Sequence, residues 1–215
     1  MDILGKLFGG SDKVKVMRLF ITNPDLVFDV KEVAKRSKIA LPIARREITL
    51  LRQLDLIQAK RGMTVTSNLP LPTGKKFNGW QLNPLFPFLT HLRNLLRADI
   101  LSRQRELTNR FGRGGKIKLL IVAGIFIQAD QSRADLLIVG DKLKRTVIDR
   151  VIKTMEAEVG RELVYAVFDT TDFLYRLNAY DKFIRDVLDY PHEKIVDKLN
   201  FDIGYPQRRE DGSVV

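Results

Sequence analysis

Apolar residues recur every three or four positions in the early part of the chain, as on one face of a helix. The first run predicts a helix from Asp12 to about Ile21, which Ser11 can cap and which Asn23-Pro24 ends. Its buried face is expected to carry Val14, Met17 or Val16, and Phe20 or Ile21. The chain therefore begins with a short amphipathic helix.

A second helix is predicted over Val30–Ser37. Asp29 and Glu32 have the spacing of a capping box, in which one side chain caps the helix and a carboxylate three residues later reaches back. We expect the buried stripe to consist of Val30, Val33 and Ala34. The short segment Lys38-Ile39-Ala40 then leads into the next helix.

The third helix is predicted over Leu41–Leu54, with Pro42 in its first turn, where the missing N–H costs little. Helical spacing assigns to the core Leu41, Ala44, Ile48 and Leu51, joined by Leu54 and Ile57. The opposite face carries Pro42, Arg45, Arg46, Thr49, Arg52 and Gln53. These side chains combine cations for phosphate groups with groups that can hydrogen-bond base edges.

Two strands are predicted after this helix. Ile57–Arg61 is the first and Gly79–Leu82 the second, and Leu69–Gly74 is irregular because it is rich in Pro and Gly. Cations lie at the tip or flanks of this long hairpin, namely Lys60, Arg61, Lys75 and Lys76. We expect Trp80 and Phe77 to pack beneath the hairpin rather than to stack on bases.

A long helix is predicted from Asn83-Pro84 to about Arg110, and the glycine-rich segment Phe111–Gly115 ends it. Its apolar stripe consists of Leu85, Phe88 or Leu89, Leu92, and Leu95 or Leu96. This stripe can pack on the chain's own domains or on a second subunit. The sequence leaves both arrangements open.

The later part of the chain alternates short apolar runs with helical ones. The predicted order is a strand Leu119–Phe126, a strand Leu136–Val139, a helix Leu143–Val159, a strand Leu163–Phe168 and a helix Asp172–Leu188. Tyr190-Pro191 ends the last helix, and a mobile tail is expected over 202–215. This order predicts an α/β unit with a small sheet.

Charge divides the chain into two parts. Residues 1–115 hold 21 Lys and Arg against 9 Asp and Glu, whereas residues 116–215 hold 16 against 17. The net charge of +11 thus comes from the part that carries the polar helix face and the hairpin. Such a surface suits a polyanion, and double-stranded DNA is the first partner to consider. A cationic helix face can also be no more than a solvated surface.

Composition narrows the kinds of functional site that the chain can form. The absence of Cys excludes disulfides, thiolate metal sites and cysteine nucleophiles. His91 and His192 lack the spacing of a metal motif, and we expect neither a metal nor a cofactor. The longest apolar run, Leu119–Ile127, is too short to span a bilayer, and the first residues lack the pattern of a signal peptide. We therefore expect a cytoplasmic protein with no membrane partner.

Three short helices followed by a basic hairpin resemble the winged helix-turn-helix domain of bacterial and archaeal transcriptional regulators. The resemblance covers Asp12 to about Asn83, and the stretch Arg45–Leu51 most resembles a recognition helix. It implies that DNA is bound by Lys38, Pro42, Arg45, Arg46, Thr49, Arg52 and Gln53. It also implies that the hairpin is a wing whose backbone-gripping cations are Lys60, Arg61, Lys75 and Lys76.

The segment from about residue 116 to 200 resembles the minimal nucleotidyltransferase domain that some prokaryotic regulators carry behind a winged helix. The stretches that carry this resemblance are Gly124-Ile-Phe, Ser132–Asp141, Gly160–Phe168, Phe173–Leu177 and Phe183–Leu188. That family's chemistry needs a Gly-Ser loop for the nucleotide phosphates and three carboxylates for two Mg²⁺ ions.

This chain departs from the family's catalytic pattern. It keeps Asp135, but Arg133 stands at the first carboxylate position, Ile125 replaces the loop serine and Val164 falls near the third carboxylate. Arg133 would repel a metal ion and can pair with Asp135 instead. The resemblance thus implies the fold without the catalysis, and leaves the domain as a sensor of a small ligand or a dimerisation platform.

The sequence predicts an α+β chain of two domains. These are a winged helix-turn-helix domain over 1–83, a connecting helix and hinge over 84–115, a small α/β nucleotidyltransferase-like domain over 116–201 and a tail over 202–215. We expect a DNA-binding transcriptional regulator that is not an enzyme, forms a homodimer and can bind an unidentified small-molecule effector. The alternatives are an active nucleotidyltransferase with an unusual metal site of Asp130, Asp135 and Asp141, and a protein that binds chromosomal DNA without sequence preference.

Overall fold

The computed structural model describes residues 2–63, 76–102, 104–127 and 132–199, and it is a mixed α/β structure with two small sheets. The helices are α1 (Ile3–Leu7), α2 (Ser11–Thr22), α3 (Val30–Ser37), α4 (Leu41–Gln53), α5 (Leu89–Ser102), α6 (Gln104–Phe111), α7 (Arg145–Val159), α8 (Thr170–Asn178) and α9 (Lys182–Asp189). The strands are β1 (Ile57–Met63), β2 (Lys76–Leu82), β3 (Lys116–Val122), β4 (Leu136–Asp141), β5 (Tyr165–Asp169) and β6 (Glu193–Asp197). None of the described helices has the length and apolar character needed to cross a membrane.

Two helices open the chain, where the sequence pattern predicts one. Asp2 caps α1, because its side chain accepts a hydrogen bond from Gly5 N at 3.0 Å. The prediction that Ser11 caps the next helix is wrong, since α2 begins at Ser11 itself and Gly10 takes the N-cap position. The turn between the helices uses Gly9, whose φ of 78° favours glycine. The predicted apolar face of α2 is buried, namely Val14, Met17 and Phe20, together with Val16 and Ile21.

The predicted start of α3 is confirmed. Asp29 accepts a hydrogen bond from Glu32 N at 2.7 Å. The Glu32 carboxylate does not complete a capping box but accepts a hydrogen bond from Arg36 Nε at 2.6 Å. Lys38 adopts the left-handed conformation with φ 51° and ends α3, so that α4 can begin at Leu41.

The apolar face predicted for α4 lies in the core: Ala44, Ile48 and Leu51 are buried and Leu41 is half-buried. The prediction that Leu54 joins them is wrong, because Leu54 is 56% exposed whereas Leu56 is 2% exposed. The chain reverses at Asp55, which has φ 58°, so the leucine after the turn enters the core. Ile57 is buried as predicted.

β1 and β2 form the predicted antiparallel hairpin, and both strands are longer than predicted. Their register places Met63 opposite Lys76. β2 also pairs with the segment between α2 and α3, because Phe28 and Trp80 exchange two backbone hydrogen bonds of 2.9 Å. Trp80 packs against the core of the helices, as predicted. The hairpin is therefore anchored to the helices through its second strand.

The helix predicted from Pro84 begins later than expected. Asn83 Oδ1 accepts a hydrogen bond from Leu85 N at 3.1 Å and forms a turn, and α5 starts at Leu89. The apolar stripe is divided: Leu89, Leu92 and Leu96 pack on the core of the preceding helices, whereas Leu85, Phe88 and Leu95 are exposed. α6 contributes Leu107 and Phe111 to a different core, which it shares with the later elements.

The second sheet has the strand order β5-β4-β3-β6. β3 is antiparallel to both of its neighbours, and β4 is parallel to β5. One hydrophobic cluster lies between the sheet and α6 and α7, and another lies between the sheet and α8 and α9. The sheet is therefore covered on both faces.

Three elements of this unit differ from the prediction. The strand predicted over Leu119–Phe126 is β3, which ends at Val122 and is followed by a short 3-10 turn. The single helix predicted over Asp172–Leu188 is two helices, because Tyr180 adopts φ 55° and Asp181 caps α9 through hydrogen bonds from two backbone N–H groups. β6 is not predicted, since its sequence, Glu-Lys-Ile-Val-Asp, is mostly charged.

α2 covers the C-terminal end of α7. The last carbonyl groups of a helix have no partner inside the helix, and here α2 and the residue after it supply the donors. Arg18 Nη1 donates to Glu158 O at 2.9 Å, Thr22 Oγ1 to Val159 O at 3.2 Å and Asn23 Nδ2 to Gly160 O at 2.6 Å. These hydrogen bonds join the first half of the chain (residues 2–102) to the second half (residues 104–199).

Candidate nucleic-acid interface

The polar face of α4 lies on the surface. Its predicted residues are all exposed, namely Pro42, Arg45, Arg46, Thr49, Arg52 and Gln53. Within the described residues, neither Arg45 nor Arg52 takes part in an ion pair. Thr49 Oγ1 donates a hydrogen bond to Arg45 O at 2.9 Å, so this hydroxyl is bonded to the backbone of its own helix. The face therefore offers two unpaired guanidinium groups to a ligand.

Arg46 is held in place by its neighbour on the chain. Its Nε and Nη2 donate to Glu47 Oε1 at 3.2 and 2.9 Å. Glu47 is only 4% exposed, and its second carboxylate oxygen is buried without a hydrogen-bond partner among the described residues. Glu47 is not among the residues predicted from the sequence, although its spacing from Ala44 and Leu51 places it at the edge of the buried face.

An open depression lies between α4 and the turn that joins α1 to α2. Its volume is about 600 Å³, and it is lined by Gly9 and Lys13 on one side and by Arg45, Arg46 and Gln53 among others on α4. Lys13 Nζ donates a hydrogen bond to Phe8 O at 2.9 Å. Lys13 is a cation of this surface that sequence reasoning missed, because only the packing of α2 against α4 brings it near α4.

Lys38 does not lie with the cations of α4. Its Nζ donates a hydrogen bond to Thr154 Oγ1 on α7 at 3.2 Å. The structure therefore places this predicted DNA-binding residue beside the second half of the chain.

The cations of the hairpin are arranged along β1. Lys60 and Arg61 are exposed and lie opposite Gly79 and Asn78 in the register. Consecutive side chains of a strand point to opposite faces, so these two cations serve different faces of the hairpin. Lys76 is the first residue of β2, and Lys75 lies outside the described residues, as do Leu69–Gly74, Asp130 and the tail over 202–215.

The contact between the two halves leaves α4 exposed. In the described part of the chain, the polar contacts across it come from α2 and the residue after it, and from Arg36 and Lys38 at the end of α3. No α4 side chain takes part in them. A ligand can therefore approach α4 without displacing the second half.

Asp135, the carboxylate that the sequence resemblance singles out, is 3% exposed. It accepts hydrogen bonds from Ile125 N at 3.0 Å, Val164 N at 2.9 Å and Arg161 Nη2 at 2.8 Å. The prediction that Arg133 pairs with Asp135 is wrong, because Arg133 Nε binds Asp186 at 2.8 Å. Arg133 therefore points to α9, although it lies only two residues before Asp135. The guanidinium that binds Asp135 belongs to Arg161, in the loop after α7.

The environment of Asp135 bears on metal chemistry. The described residues contain no group of three His, Asp or Glu side chains that could hold a metal ion. Gly124 has φ 54°, and a Cβ atom at this position would collide with Asp135 Oδ1, so the turn after β3 is closed tightly over the carboxylate.

Comparison of the chain with protein-family models, with curated proteins and with solved structures gives no match.

Proposed function

We propose that this chain is a transcriptional regulator that binds double-stranded DNA through a winged helix-turn-helix formed by its first half. The observation that carries the proposal is the exposed cationic face of α4, which lies next to a two-stranded hairpin and outside the contact between the halves. α3, the tight turn at Lys38 and α4 form the helix-turn-helix, and β1 and β2 form the wing.

In this proposal α4 is the recognition helix. Arg45 and Arg52 form no ion pair with any residue that the structure describes, and each can donate two hydrogen bonds to a guanine edge or to a phosphate, while Gln53 can bind an adenine edge. Glu47 orients the guanidinium of Arg46 before DNA arrives. Lys60 and Arg61 on the wing contact the phosphate backbone, which adds affinity without sequence information.

The second half is proposed to be a nucleotidyltransferase-like unit that does not catalyse transfer. The three N–H donors around Asp135 support this, because they occupy oxygen lone pairs that a Mg²⁺ ion would need. This unit then serves as a ligand sensor or as a dimerisation platform. A homodimer would match the two half-sites of a palindromic DNA sequence.

Selection of bound fragments from random DNA, followed by gel-shift titration, tests the proposal. The Arg45→Ala/Arg46→Ala variant is expected to lose about 1–3 kcal/mol of binding free energy per lost base contact and to relax the selected sequence. The Lys60→Ala/Arg61→Ala variant is expected to weaken binding to all sequences alike and to reduce the salt dependence.

The matched control for the lost charge is Lys182→Ala/Lys198→Ala, in which both residues are exposed on the second half. This control is expected to bind DNA as the wild type does. If the Arg45→Ala/Arg46→Ala variant also bound as the wild type does, the assignment of α4 would be wrong. Nearly equal affinity of the wild type for all duplexes would instead favour a protein that binds chromosomal DNA without sequence preference.

A further inference from the structure

A second cleft lies between the two halves, where α3 faces the end of α7. Its volume is about 380 Å³, and small-molecule sites have volumes of about 300–1,000 Å³. Cations line both sides of it. Lys35, Arg36 and Lys38 come from α3 and its C-cap, and Lys153 and Arg161 come from α7 and the loop after it.

The acidic side chains of this cleft are already engaged or exposed. Glu32 accepts a hydrogen bond from Arg36 Nε at 2.6 Å, and Glu156 accepts one from Leu163 N at 3.1 Å. Glu162 is exposed and lies 3.9 Å from Arg36 Nη2. Glu32 and Glu162 therefore compensate Arg36, while Glu156 keeps its negative charge in the cleft. Within the described ranges, no carboxylate forms an ion pair with Lys35, Lys38 or Lys153.

Several donors of the cleft have no acceptor. Among the described residues, Lys35 and Lys153 take part in no ion pair, and they belong to different halves of the chain. Arg161 binds Asp135 through Nη2, but its Nε is buried without a hydrogen-bond partner in the described part of the chain. A buried donor without an acceptor is destabilising, so the guanidinium of Arg161 is only partly satisfied by Asp135.

We propose that this cleft binds a small polyanion, with phosphate or carboxylate groups, that bridges α3 and α7. The ammonium groups of Lys35 and Lys153, one from each half, call for a ligand with at least two anionic groups. Binding itself does not depend on DNA recognition. Its regulatory effect rests on the proposed function: α3 leads directly into α4, so a ligand that favours one placement of α3 against α7 also favours one placement of α4.

The test is isothermal titration calorimetry of the full chain with ATP, pyrophosphate and citrate, with adenosine as the uncharged control. We expect saturable binding of at least one polyanion and none of adenosine. Phosphate and carboxylate ligands are told apart by which of the three binds. The Lys35→Ala/Lys153→Ala variant is expected to bind that ligand at least tenfold more weakly, and Lys35→Arg/Lys153→Arg is expected to restore binding.

The matched control Lys182→Ala/Lys198→Ala loses the same charge elsewhere and is expected to bind as the wild type does. Circular dichroism checks that each variant is folded. Equal binding by the wild type and the Lys35→Ala/Lys153→Ala variant would overturn the proposal, as would the absence of polyanion binding. Loss of DNA affinity by this variant without any polyanion binding would also overturn it and would assign the cleft to the DNA interface.

The Arg45→Ala/Arg46→Ala variant separates this inference from the proposed function. We expect this variant to keep polyanion binding while it loses specific DNA binding. If the wild type bound the polyanion but no DNA sequence specifically, the proposed function would fail and the anion site would stand. If it bound DNA specifically but no polyanion, only the anion site would fail.

Discussion

The buried carboxylate of Asp135 ties together three segments that are distant in sequence. Its oxygens accept hydrogen bonds from the turn after β3, from the residue before β5 and from Arg161 in the loop after α7. The Asp135 backbone N–H also donates to Val164 O at 2.6 Å. Each of these N–H groups would be left without an anionic acceptor if the charge were removed, so Asp135 is a structural residue.

We therefore expect Asp135→Asn to lower the free energy of unfolding by about 1–3 kcal/mol, because an amide offers one acceptor oxygen where the carboxylate offers two. Urea unfolding followed by circular dichroism measures this. Asp141→Asn is the control: Asp141 is half-exposed and lies 3.9 Å from Lys118 Nζ, and the change is expected to fall within about 0.5 kcal/mol.

Mg²⁺ provides a separate check on Asp135. It is expected to leave the Tm of the wild type unchanged, since the carboxylate is engaged with N–H donors. Stabilisation by Mg²⁺ that Asp135→Asn removed would contradict the structural role and would support the active nucleotidyltransferase.

At the scale of elements, several helices and strands begin or end next to a residue other than glycine that adopts the left-handed conformation. Lys38, Asp55, Lys142 and Tyr180 have φ between 51° and 58°, and they lie after α3, before β1, before α7 and between α8 and α9. Hydrophobic periodicity predicted the bodies of α2, α3, α4 and α7 and the exposed face of α4. It could not predict the break at Tyr180, because tyrosine carries no turn signal. It also did not predict the burial of Leu56, which follows from the left-handed conformation of Asp55, although Asp is a residue type that favours turns.

The residues of the candidate site could likewise be predicted only in part from the sequence. The cations of α4 follow from helical spacing, which is local. The positions of Lys13 beside α4 and of Lys38 beside α7 depend on how helices pack, and no pattern along the chain encodes that.

Lys142 allows the cost of such a turn to be measured. It is exposed, and Lys142→Gly is expected to raise the free energy of unfolding by up to about 1 kcal/mol, because glycine adopts positive φ without steric cost. The control Arg150→Gly lies in the interior of α7, where glycine is expected to destabilise by about 0.5–1 kcal/mol. Thermal unfolding of both variants gives the comparison. A loss of stability in Lys142→Gly would show that the turn carries no strain.

At the scale of the whole molecule, the two halves meet where α2 passes the end of α7. Gly160 approaches the backbone of α2 closely: it has φ 87°, and a Cβ atom there would lie 2.6 Å from the carbonyl carbon of Arg18 and 2.7 Å from Leu19 N. The three hydrogen bonds from α2 and Asn23 reach the carbonyl groups of Glu158, Val159 and this glycine. At Gly160 the backbones of the two halves therefore come close together, and the carbonyl group of the same residue accepts a hydrogen bond from Asn23.

Gly160→Ala is expected to destabilise the chain by about 2 kcal/mol or more, since left-handed backbone costs alanine about 1–2 kcal/mol and the new methyl group must also displace α2. Small-angle scattering is expected to show a larger radius of gyration, and calorimetry a lower Tm. Gly112→Ala is the matched control, because a Cβ atom there meets nothing within 4 Å. Equal effects of the two substitutions would contradict this account of the contact.

The way in which α2 completes α7 limits how this protein can be taken apart. A fragment that began after residue 103 would expose the carbonyl oxygens of Glu158, Val159 and Gly160, which in the full chain accept from Arg18, Thr22 and Asn23. If the second half were grafted onto another module, water would have to take the place of these three donors unless that module supplied donors at the same positions. The end of α7 is therefore completed by the first half of the chain, and a fragment boundary at residue 103 would change its environment.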